Sequence, residues 1–271
     1  MSGRREQQIA WISGGASGIG AATVRLFADH GVAVMIADRQ TAAAQSLVTE
    51  IRAAGGQAEF TECDVSSEES VHKSIEQTAA TFGGLQILIN CAGIVHVGLL
   101  HECTESDWDR LMGVNVKSIF FSVKHGLPHL RKNPRSYIVN VGSISSFVGQ
   151  ASTPIYTTSK GAVLSLTQSI ALDYAGLGVR CNCVCPGITD TPMLREHLNK
   201  TSDPEGTLRR RMRRVPINRV LQPNEIARTI LYLSCEDSAG VTGTSIVVDG
   251  GYLSAAEWDA GIPSTQSAET P

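Results

Sequence analysis

Short apolar runs alternate with longer amphipathic stretches along most of the chain, and this alternation limits the possible folds more than any other feature. The apolar runs are rich in β-branched residues and nearly continuous, as in V-A-V-M-I-A and Q-I-L-I-N-C, which is typical of strands buried on both faces. The predicted strands are 9–13, 32–38, 57–63, 86–91, 136–142, 178–185 and 245–249. The predicted helices are 18–29, 40–54, 67–82, 105–131, 154–175 and 223–234.

Strands that alternate with helices in this way form a parallel sheet covered by helices on both faces. The predicted fold class is therefore α/β, a doubly wound, Rossmann-like parallel sheet of about seven strands, one for each apolar run. The chain has 271 residues, 42% of them hydrophobic, which is enough for one large core. No internal repeat or linker divides it, so we expect a single domain over residues 1–261 and a mobile tail over 262–271, where the periodicity is lost.

Charge and terminal composition exclude several classes of protein. The net charge is −3, so no overall basic field recruits nucleic acid or an anionic membrane. The first eight residues are polar and lack the apolar core of a signal peptide, and no later run reaches the roughly 18 apolar residues of a membrane span. We therefore expect a cytoplasmic protein, with no nucleic-acid or membrane partner, whose seven cysteines are reduced thiols.

Four glycines lie within S-G-G-A-S-G-I-G, residues 13–20, where the first strand passes into the first helix. Glycines allow the backbone to bend sharply and approach a ligand, and the helix then presents unpaired N–H groups and a partial positive charge. This turn predicts a site for the diphosphate of a dinucleotide, although a tight turn without a ligand fits the same stretch. The predicted contacts are Gly14, Ser17, Gly18, Ile19 and Gly20.

Asp38 ends the second predicted strand, eighteen residues beyond Gly20. A carboxylate at this point can accept hydrogen bonds from the adenosine ribose hydroxyls and repels a 2′-phosphate, which favours NAD over NADP. Arg39 could bind such a phosphate if it turned inward, but no Lys or Arg in residues 13–20 would assist it. Asp38 is also suited to a second use, as a helix N-cap.

Tyr156 and Lys160 are four residues apart in Y-T-T-S-K and share one helical face. A nearby ammonium stabilises a phenolate, so this pair can exchange a proton near neutral pH, although the spacing alone also occurs in ordinary exposed pairs. Thirteen residues upstream, the strand Y-I-V-N-V-G-S ends at Ser143, at the carboxyl edge of the sheet where open α/β folds bind ligands. A helix that begins near Thr153 would hold Tyr156 opposite that hydroxyl.

Eight short segments, taken together, resemble the short-chain dehydrogenase/reductase family. They are S-G-G-A-S-G-I-G, C-D-V (63–65), N-C-A-G (90–93), N-V-K-S (115–118), N-V-G-S (140–143), Y-T-T-S-K (156–160), P-G-I-T-D-T (186–191) and V-D-G-G (248–251). The resemblance runs from about residue 8 to 253 and specifies fold and reaction type, but not substrate. Departures from the family pattern are Ser13, Cys91 and Gly142, which stand where the family often has Thr, Asn and Ser.

The resemblance implies a catalytic set of four residues. Tyr156 would exchange a proton with the substrate oxygen, and Ser143 would orient that oxygen by a hydrogen bond. Lys160 would bind the nicotinamide ribose hydroxyls, and Asn115 would hold a water that links Lys160 to solvent. Hydride would pass between the nicotinamide and the substrate carbon, while the protein supplies position and polarity.

The resemblance also implies further contacts with the cofactor and the substrate. Asp64 and Val65 would flank the adenine, and Asn90, Ala92 and Gly93 would line the ribose and diphosphate. The nicotinamide end would be contacted by Pro186, Gly187, Thr189 and Thr191, together with Tyr156 and Lys160. Position alone suggests four residues of the substrate pocket: His96, Ser145, Gln150 and Met193.

Two conspicuous stretches point less clearly to a function. Cys181, Cys183 and Cys185 alternate along a strand, so neighbouring thiols on one face are about 6.6 Å apart, too far to chelate one ion, and no metal site is predicted. The run R-R-R-M-R-R, Arg209–Arg214, predicts a solvated helix face or a subunit contact. In the resembling family the segment after P-G-I-T-D-T covers the substrate, so one or two of these arginines could instead meet a carboxylate or phosphate.

These features predict an NAD-dependent oxidoreductase that interconverts a small-molecule secondary alcohol, such as a sugar, polyol or cyclic alcohol, and its carbonyl. The alternatives are reduction of a 3-oxoacyl thioester or a steroid-type ketone, and a dinucleotide-binding regulator without chemistry. The complete catalytic set disfavours a regulator. A nucleotide-sugar epimerase is disfavoured because the chain lacks G-x-x-G-x-x-G and a sizeable C-terminal domain. The family resemblance implies a homotetramer or homodimer built through helices 105–131 and 154–175.

Overall fold

The strands form one parallel sheet. The structure is a computed structural model that describes residues 8–255. Within these residues the strands are β1 (Ile9–Ser13), β2 (Ala33–Asp38), β3 (Ala58–Glu62), β4 (Ile87–Asn90), β5 (Ser136–Val141), β6 (Val179–Pro186) and β7 (Ser245–Val248). Their order in the sheet is β3-β2-β1-β4-β5-β6-β7, and every neighbouring pair is parallel. The predicted doubly wound α/β fold is confirmed, while the predicted tail at 262–271 and the domain boundary at 261 lie outside the described residues.

Helices connect the strands. They are α1 (Gly18–Asp29), α2 (Thr41–Ala53), α3 (Glu68–Phe82), α4 (Glu105–Met112), α5 (Ser118–Leu130), α6 (Pro154–Tyr174), α7 (Pro192–Asn199), α8 (Pro204–Met212) and α9 (Pro223–Leu233). The prediction of one helix over 105–131 is wrong, because a π-helical stretch, Gly113–Lys117, separates α4 from α5. Helices α7 and α8 were not predicted. None of the described helices is long and apolar enough to cross a bilayer.

Two apolar clusters lie on opposite faces of the sheet because successive strand residues point to opposite sides. Ile12 and Ile36 belong to one cluster, which α1, α2 and α9 cover. Trp11 and Met35 belong to the other, which α3, α5 and α6 cover. Trp11 is fully buried, and its indole N–H donates to Ser74 Oγ at 2.7 Å, so this large side chain leaves no polar group unpaired.

The alternate cysteines of β6 are buried in the second cluster, but they lie closer together than the strand repeat predicts. Cys183 Sγ and Cys185 Sγ are 3.6 Å apart. A Cβ at Gly142, in the chain just after β5, would lie 2.8 Å and 2.9 Å from these two sulfurs, so both thiols occupy the space that the glycine leaves empty. The expectation of about 6.6 Å between neighbouring thiols is therefore wrong for this pair. Among the described residues, no group of three His, Cys, Asp or Glu side chains is arranged to hold a metal.

The strand order creates a ligand crevice at one edge of the sheet. Strands β1 and β4 are neighbours, with Ser13 paired to Asn90 in register, so the chain winds outward from this pair in both directions. The connections that leave β1 and β4 consequently diverge to opposite sides, and ligands bind in the gap between them. The carboxyl ends of β2, β5 and β6 open onto the same edge.

Candidate active site

A cavity of about 790 Å³ lies along this carboxyl edge. Its wall combines the glycine turn, the ends of β2, β5 and β6, the loop after β4, the start of α6, and the two helices α7 and α8. The predicted site residues found in the wall are Gly14, Ser17, Gly18, Ile19, Gly20, Asp38, Arg39, Asp64, Val65, Ala92, Gly93, Ser143, Ser145, Gln150, Tyr156, Lys160, Pro186, Gly187, Thr189, Thr191 and Met193. The structure therefore gathers into one site residues that are far apart in the chain.

Asn90 was predicted to line the ribose and diphosphate, and the structure places it outside the cavity wall. Its side chain is buried in the sheet, where it donates to Asn140 Oδ1 at 2.8 Å and accepts from Ser122 Oγ at 2.7 Å. Asn140 in turn donates to Thr167 Oγ1 at 2.9 Å. The amide points into the core, where its polar atoms are hydrogen-bonded, and its bond to Asn140 links β4 to β5.

His96 is the second predicted residue outside the wall. Its Nε2 lies 3.5 Å from Asp107 Oδ1, and its Nδ1 lies 3.7 Å from Cys103 Sγ. Asp107 belongs to the first turn of α4, where it also caps the helix through Thr104. This carboxylate draws the imidazole away from the cavity, so the prediction of His96 as a substrate contact is corrected.

The glycine turn offers bare backbone where a dinucleotide would need it. A Cβ at Gly20 would lie 2.0 Å from the carbonyl oxygen of Gly14, and a Cβ at Gly14 would lie 2.8 Å from Ala92 Cα, so no side chain fits at either position. Gly18 has φ +52°, which favours glycine. Ser17 does not cap α1 through its side chain, the first turn of α1 carries no acid, and residues 17–20 line the cavity, so this helix N-terminus is suited to an anion.

Asp38 connects this turn to the end of β2. One carboxylate oxygen, Oδ2, accepts from the Ala16 N–H at 2.9 Å, and Oδ1 accepts from the Gln40 N–H at 3.0 Å. Arg39 is largely exposed, with Nη1 3.9 Å from Asp64 Oδ2. A hydrogen bond from Ser66, supported by the Arg39 charge, lowers the pKa of Asp64 below its usual value. The guanidinium therefore faces Asp64 while the Asp38 carboxylate remains in the cavity wall.

Tyr156 and Lys160 lie one turn apart near the start of α6, which begins at Pro154. Lys160 Nζ is 5.7 Å from the centre of the Tyr156 ring and donates to the Val141 carbonyl at 2.8 Å. Val141 is the last residue of β5, so the sheet fixes the ammonium beside the phenol. Ser143 follows two residues later in the same wall of the cavity.

Ser143 begins a short 3₁₀ turn, Ile144–Ser146. Its Oγ accepts from the Ser145 N–H at 3.1 Å, which leaves the hydroxyl proton to be donated to a ligand. Ser146 Oγ donates to the Lys160 carbonyl at 2.7 Å and accepts from the Ser143 N–H at 3.3 Å. These bonds fix the distance between the serine turn and α6, and therefore the position of the serine hydroxyl relative to Tyr156.

Asn115 lies behind the cavity wall, in the π-helical stretch between α4 and α5. Its Oδ1 accepts from the Ile94 N–H at 2.8 Å, and its Nδ2 donates to the Ile94 carbonyl at 3.0 Å and to Ser159 Oγ at 3.0 Å. Ser159, which sequence reasoning missed, donates to the Tyr156 carbonyl at 2.7 Å. Asn115 thus joins the loop after β4 to the helix that carries Tyr156, and π stretches often occur at such functional positions. Its predicted role in holding a water stays a prediction.

Burial keeps the thiols of two cysteines in the wall protonated. Desolvation raises the pKa of Cys63 to about 11 and that of Cys91 to about 12, so both are protonated at neutral pH. Because the thiolate is the nucleophile, neither cysteine is suited to covalent catalysis. Ser13 Oγ accepts from the Cys91 N–H at 3.1 Å, so Ser13 tethers the loop after β4 to β1.

The cavity wall also contains three of the four predicted substrate residues. Ser145 Oγ donates to Gln150 Oε1 at 2.9 Å, and Met193 contributes from α7. Sequence reasoning missed His197 and Tyr252 in the wall, and treated Arg209–Arg214 mainly as a surface feature. The helices α7 and α8, which form part of this wall, could have been predicted from the Thr-Pro and Asp-Pro pairs that begin them, because Thr or Asp followed by Pro is typical of a helix start.

Comparison with known proteins identifies the family of this chain. A family profile described as "Enoyl-(Acyl carrier protein) reductase" matches residues 14–253. The chain is 36% identical over 251 residues to the Xenopus laevis protein named "Dehydrogenase/reductase SDR family member 6", with 92% of this chain and 99% of the relative covered. The chain belongs to the short-chain dehydrogenase/reductase family. It is thus a member of an oxidoreductase family that uses a nicotinamide dinucleotide.

Two further likenesses bear on substrate and cofactor within the short-chain dehydrogenase/reductase family. A Sinomonas cyclohexanicum protein named "Cis-4-hydroxycyclohexanecarboxylate dehydrogenase" is 37% identical over 247 residues, which span 91% of this chain and 96% of the relative. A crystal structure of an actinorhodin polyketide ketoreductase variant with NADPH has a TM-score of 0.87 and 29% identity, and the match covers 91% of this chain and 97% of that one. The first relative is named for a cyclic alcohol, and the second protein binds a phosphorylated cofactor.

Proposed function

We propose that the protein catalyses the NAD-dependent interconversion of a cyclic secondary alcohol and its ketone. The observation that carries this proposal is the meeting of Ser143, Tyr156 and Lys160 with the glycine turn in the wall of one cavity. The same cavity then contains a turn suited to bind a diphosphate and a side chain suited to move a proton. Both can act on a cofactor and a substrate that occupy this cavity together.

Tyr156, Ser143 and Lys160 each have a separate role in the oxidation of the alcohol. Tyr156 accepts the hydroxyl proton of the alcohol, and Ser143 donates a hydrogen bond to the same oxygen. Lys160, held by the Val141 carbonyl, places its ammonium beside the phenol and would bind a ribose hydroxyl of the cofactor. A bound nicotinamide would supply the hydride acceptor, so that one alcohol and one NAD would yield one ketone, one NADH and one proton. Reduction uses the same groups in reverse.

NAD is the proposed form of the cofactor. Asp38 places a carboxylate in the wall at the end of β2, where it would meet the adenosine ribose hydroxyls and repel a 2′-phosphate. Arg39, the nearest cation in sequence, lies toward Asp64 rather than toward this carboxylate. Both features favour the unphosphorylated dinucleotide.

A cyclic alcohol is the proposed substrate class. Apolar side chains of Ile94, Val95, Ile144 and Val148 lie in the cavity wall, and they would pack against a carbon ring. The relative named for hydroxycyclohexanecarboxylate supports this choice. The likeness to a polyketide ketoreductase favours a second candidate, reduction of a 3-oxoacyl thioester with NADPH, which Asp38 opposes.

A spectrophotometric screen for NADH formation tests the proposal, with cyclohexanols, polyols, sugars, hydroxy acids and steroids as substrates. We expect the highest kcat/KM with a cyclohexanol and NAD, whereas turnover confined to 3-oxoacyl thioesters with NADPH would establish the second candidate. Tyr156→Phe should lower kcat about 10²- to 10⁴-fold while NADH binding is retained. Tyr174→Phe, at the other end of the same helix, is the matched control and should leave kcat unchanged. Intact turnover in Tyr156→Phe would remove the basis of the proposal.

We also propose that the protein forms a homotetramer through α4, α5 and α6. Large apolar side chains are exposed on these helices: Trp108 at 40%, Phe120 at 51% and Leu172 at 82%. Faces of this kind are typical of subunit contacts. Light scattering should give a mass of four chains, and a monomer mass would contradict the assignment.

A further inference from the structure

The arginine run divides into two groups by position. Arg209 and Arg213 lie outside the cavity wall. Arg210, Arg211 and Arg214 line the cavity, in the part built by α8 and the turn that follows it. The helix therefore turns one side of a basic run toward the same cavity that contains Tyr156.

Ion pairing does not follow this division, because each group contains one arginine with an acidic partner. Arg210 lies 3.5 Å from Asp203 Oδ2, and Arg209 lies 3.5 Å from a Glu205 carboxylate oxygen. Within residues 8–255, neither Arg211 nor Arg214 has a carboxylate within 4.0 Å. Two cations in the cavity wall thus lack an acidic partner in the described part of the chain.

Neutral groups hold these two guanidinium groups in place. Arg211 is partly buried and donates to His197 Nε2, and the Arg214 guanidinium lies 5.1 Å from the centre of the Tyr252 ring. Burial, together with the nearby Arg211 charge, lowers the pKa of His197, so its ring is neutral and accepts this bond at neutral pH. A neutral partner orients a guanidinium without neutralising it, and Arg211 keeps further N–H donors for a ligand.

A partly buried guanidinium without a counter-ion is unfavourable, and burial accordingly lowers the pKa of Arg211. An anion in the cavity would remove this penalty. The diphosphate of a dinucleotide belongs at the glycine turn after β1, whereas these arginines come from α8 and the turn that follows it. The unbalanced charge lies beside His197 of α7, to which Arg211 donates.

We propose that Arg211, assisted by Arg214, binds a carboxylate carried by the substrate, so that the preferred alcohol is a cyclic hydroxy acid. This inference rests on the proposed function and narrows its substrate class. The planar guanidinium fork matches a carboxylate, and the contact would fix the acid end of the molecule under α8. The ring then spans the apolar wall, and the hydroxyl carbon at its far end is directed toward Tyr156 and Ser143.

The test compares a hydroxy acid with a neutral molecule of the same shape. The probes are cis-4-hydroxycyclohexanecarboxylate and its carboxamide, measured by NADH formation. The wild type should favour the acid in kcat/KM by about 10- to 100-fold, the range of a charge-assisted hydrogen bond. Arg211→Gln should abolish this preference, mainly by raising the KM of the acid, and Arg211→Lys should retain part of it because the charge remains.

Arg209→Gln is the matched control, because it removes the same charge from the same helix at a position outside the cavity wall. Its acid-to-amide ratio should equal that of the wild type. A fluorescence titration with NADH should give the same Kd for wild type and Arg211→Gln. A raised Kd for NADH would show that Arg211 binds the cofactor instead, and would overturn the proposal.

Two results separate this inference from the proposed function. If Arg211→Gln lowers kcat/KM equally for acid and carboxamide while the wild type oxidises both, the carboxylate site is wrong and the alcohol dehydrogenase activity stands. If the wild type forms no NADH with either probe or with any other alcohol, the proposed function itself fails. Thermal unfolding of each variant checks that a lost preference reflects the site rather than the fold.

Discussion

Under the proposed function, Asp38→Asn should shift the cofactor preference toward NADP, because the carboxylate would bind the ribose hydroxyls of NAD and repel the 2′-phosphate of NADP. In the folded chain both of its oxygens accept backbone N–H bonds, from Ala16 and from Gln40. Asp38 also lines the cavity, and under the proposed function it has a third task there, the binding of ribose hydroxyls in NAD. Asparagine keeps the shape of the side chain but removes its charge and replaces one acceptor oxygen by a donor.

The size of each effect follows from these contacts. One backbone N–H loses its acceptor, so the free energy of unfolding should fall by about 1 to 3 kcal/mol. A charge-assisted hydrogen bond to ribose becomes a neutral one, which weakens NAD binding by about 1 kcal/mol. Removal of the carboxylate also removes a repulsion of about 1 to 3 kcal/mol toward the 2′-phosphate of NADP. The two cofactor effects have opposite signs, so the ratio of kcat/KM for NADP to that for NAD should rise roughly 30- to 700-fold.

Steady-state kinetics with both cofactors measure this ratio, and urea unfolding measures the loss of stability. Glu62→Gln provides a matched control. Glu62 pairs in register with Asp38 on the neighbouring strand β3, carries the same charge and lies outside the cavity wall. Its replacement should leave the cofactor ratio unchanged. If Asp38→Asn lowers kcat/KM for NAD and NADP by the same factor, the carboxylate only supports the glycine turn and the argument for NAD is refuted.

Two further substitutions test packing and pH dependence. Gly142→Ser places a Cβ 2.9 Å from Cys185 Sγ, so the free energy of unfolding in urea should fall by about 1 to 3 kcal/mol. Adding Cys185→Ala should restore part of this loss, whereas additive effects of the two substitutions would contradict the explanation. A hydrogen bond from Arg219, with one from the Gln222 N–H, lowers the pKa of Glu225 to about 2 from 4.5. Glu225→Gln should therefore cost about 1 kcal/mol or less at neutral pH, and the difference in thermal stability from wild type should shrink as the pH falls from about 4.5 toward 2. A difference that is constant over this range would exclude Glu225 as its source.

The fold was predictable because its determinants are local. The strand run 9–13 matches β1 residue for residue, since a buried parallel strand needs a nearly continuous apolar sequence. The break in the helix predicted at 105–131 was not predictable. The π-helical stretch Gly113–Lys117 contains Asn115, whose side chain bonds to Ile94 and Ser159, and these partners lie 21 and 44 residues away in the chain.

Part of the candidate site was predictable because one motif determines its own backbone. The glycine turn is such a case at Gly20, where a Cβ would collide with the carbonyl oxygen of Gly14 in the same turn. The direction of a polar side chain depends instead on partners elsewhere in the sequence. Asn90 turned toward Asn140, fifty residues away, and His96 turned toward Asp107. No pattern around either residue identifies these partners.

The cavity wall contains a carboxylate, Asp38, and a guanidinium, Arg211, so the choice of cofactor and the choice of substrate can depend on different residues. Asp38 lies at the end of β2 and Arg211 on α8, and the β1–β4 switch point separates the strands from which these segments emerge. Under the two proposals, the Asp38 carboxylate would oppose a 2′-phosphate on the cofactor, and the Arg211 guanidinium would attract a carboxylate on the substrate. Charges of opposite sign in one cavity would then direct each ligand to its own place.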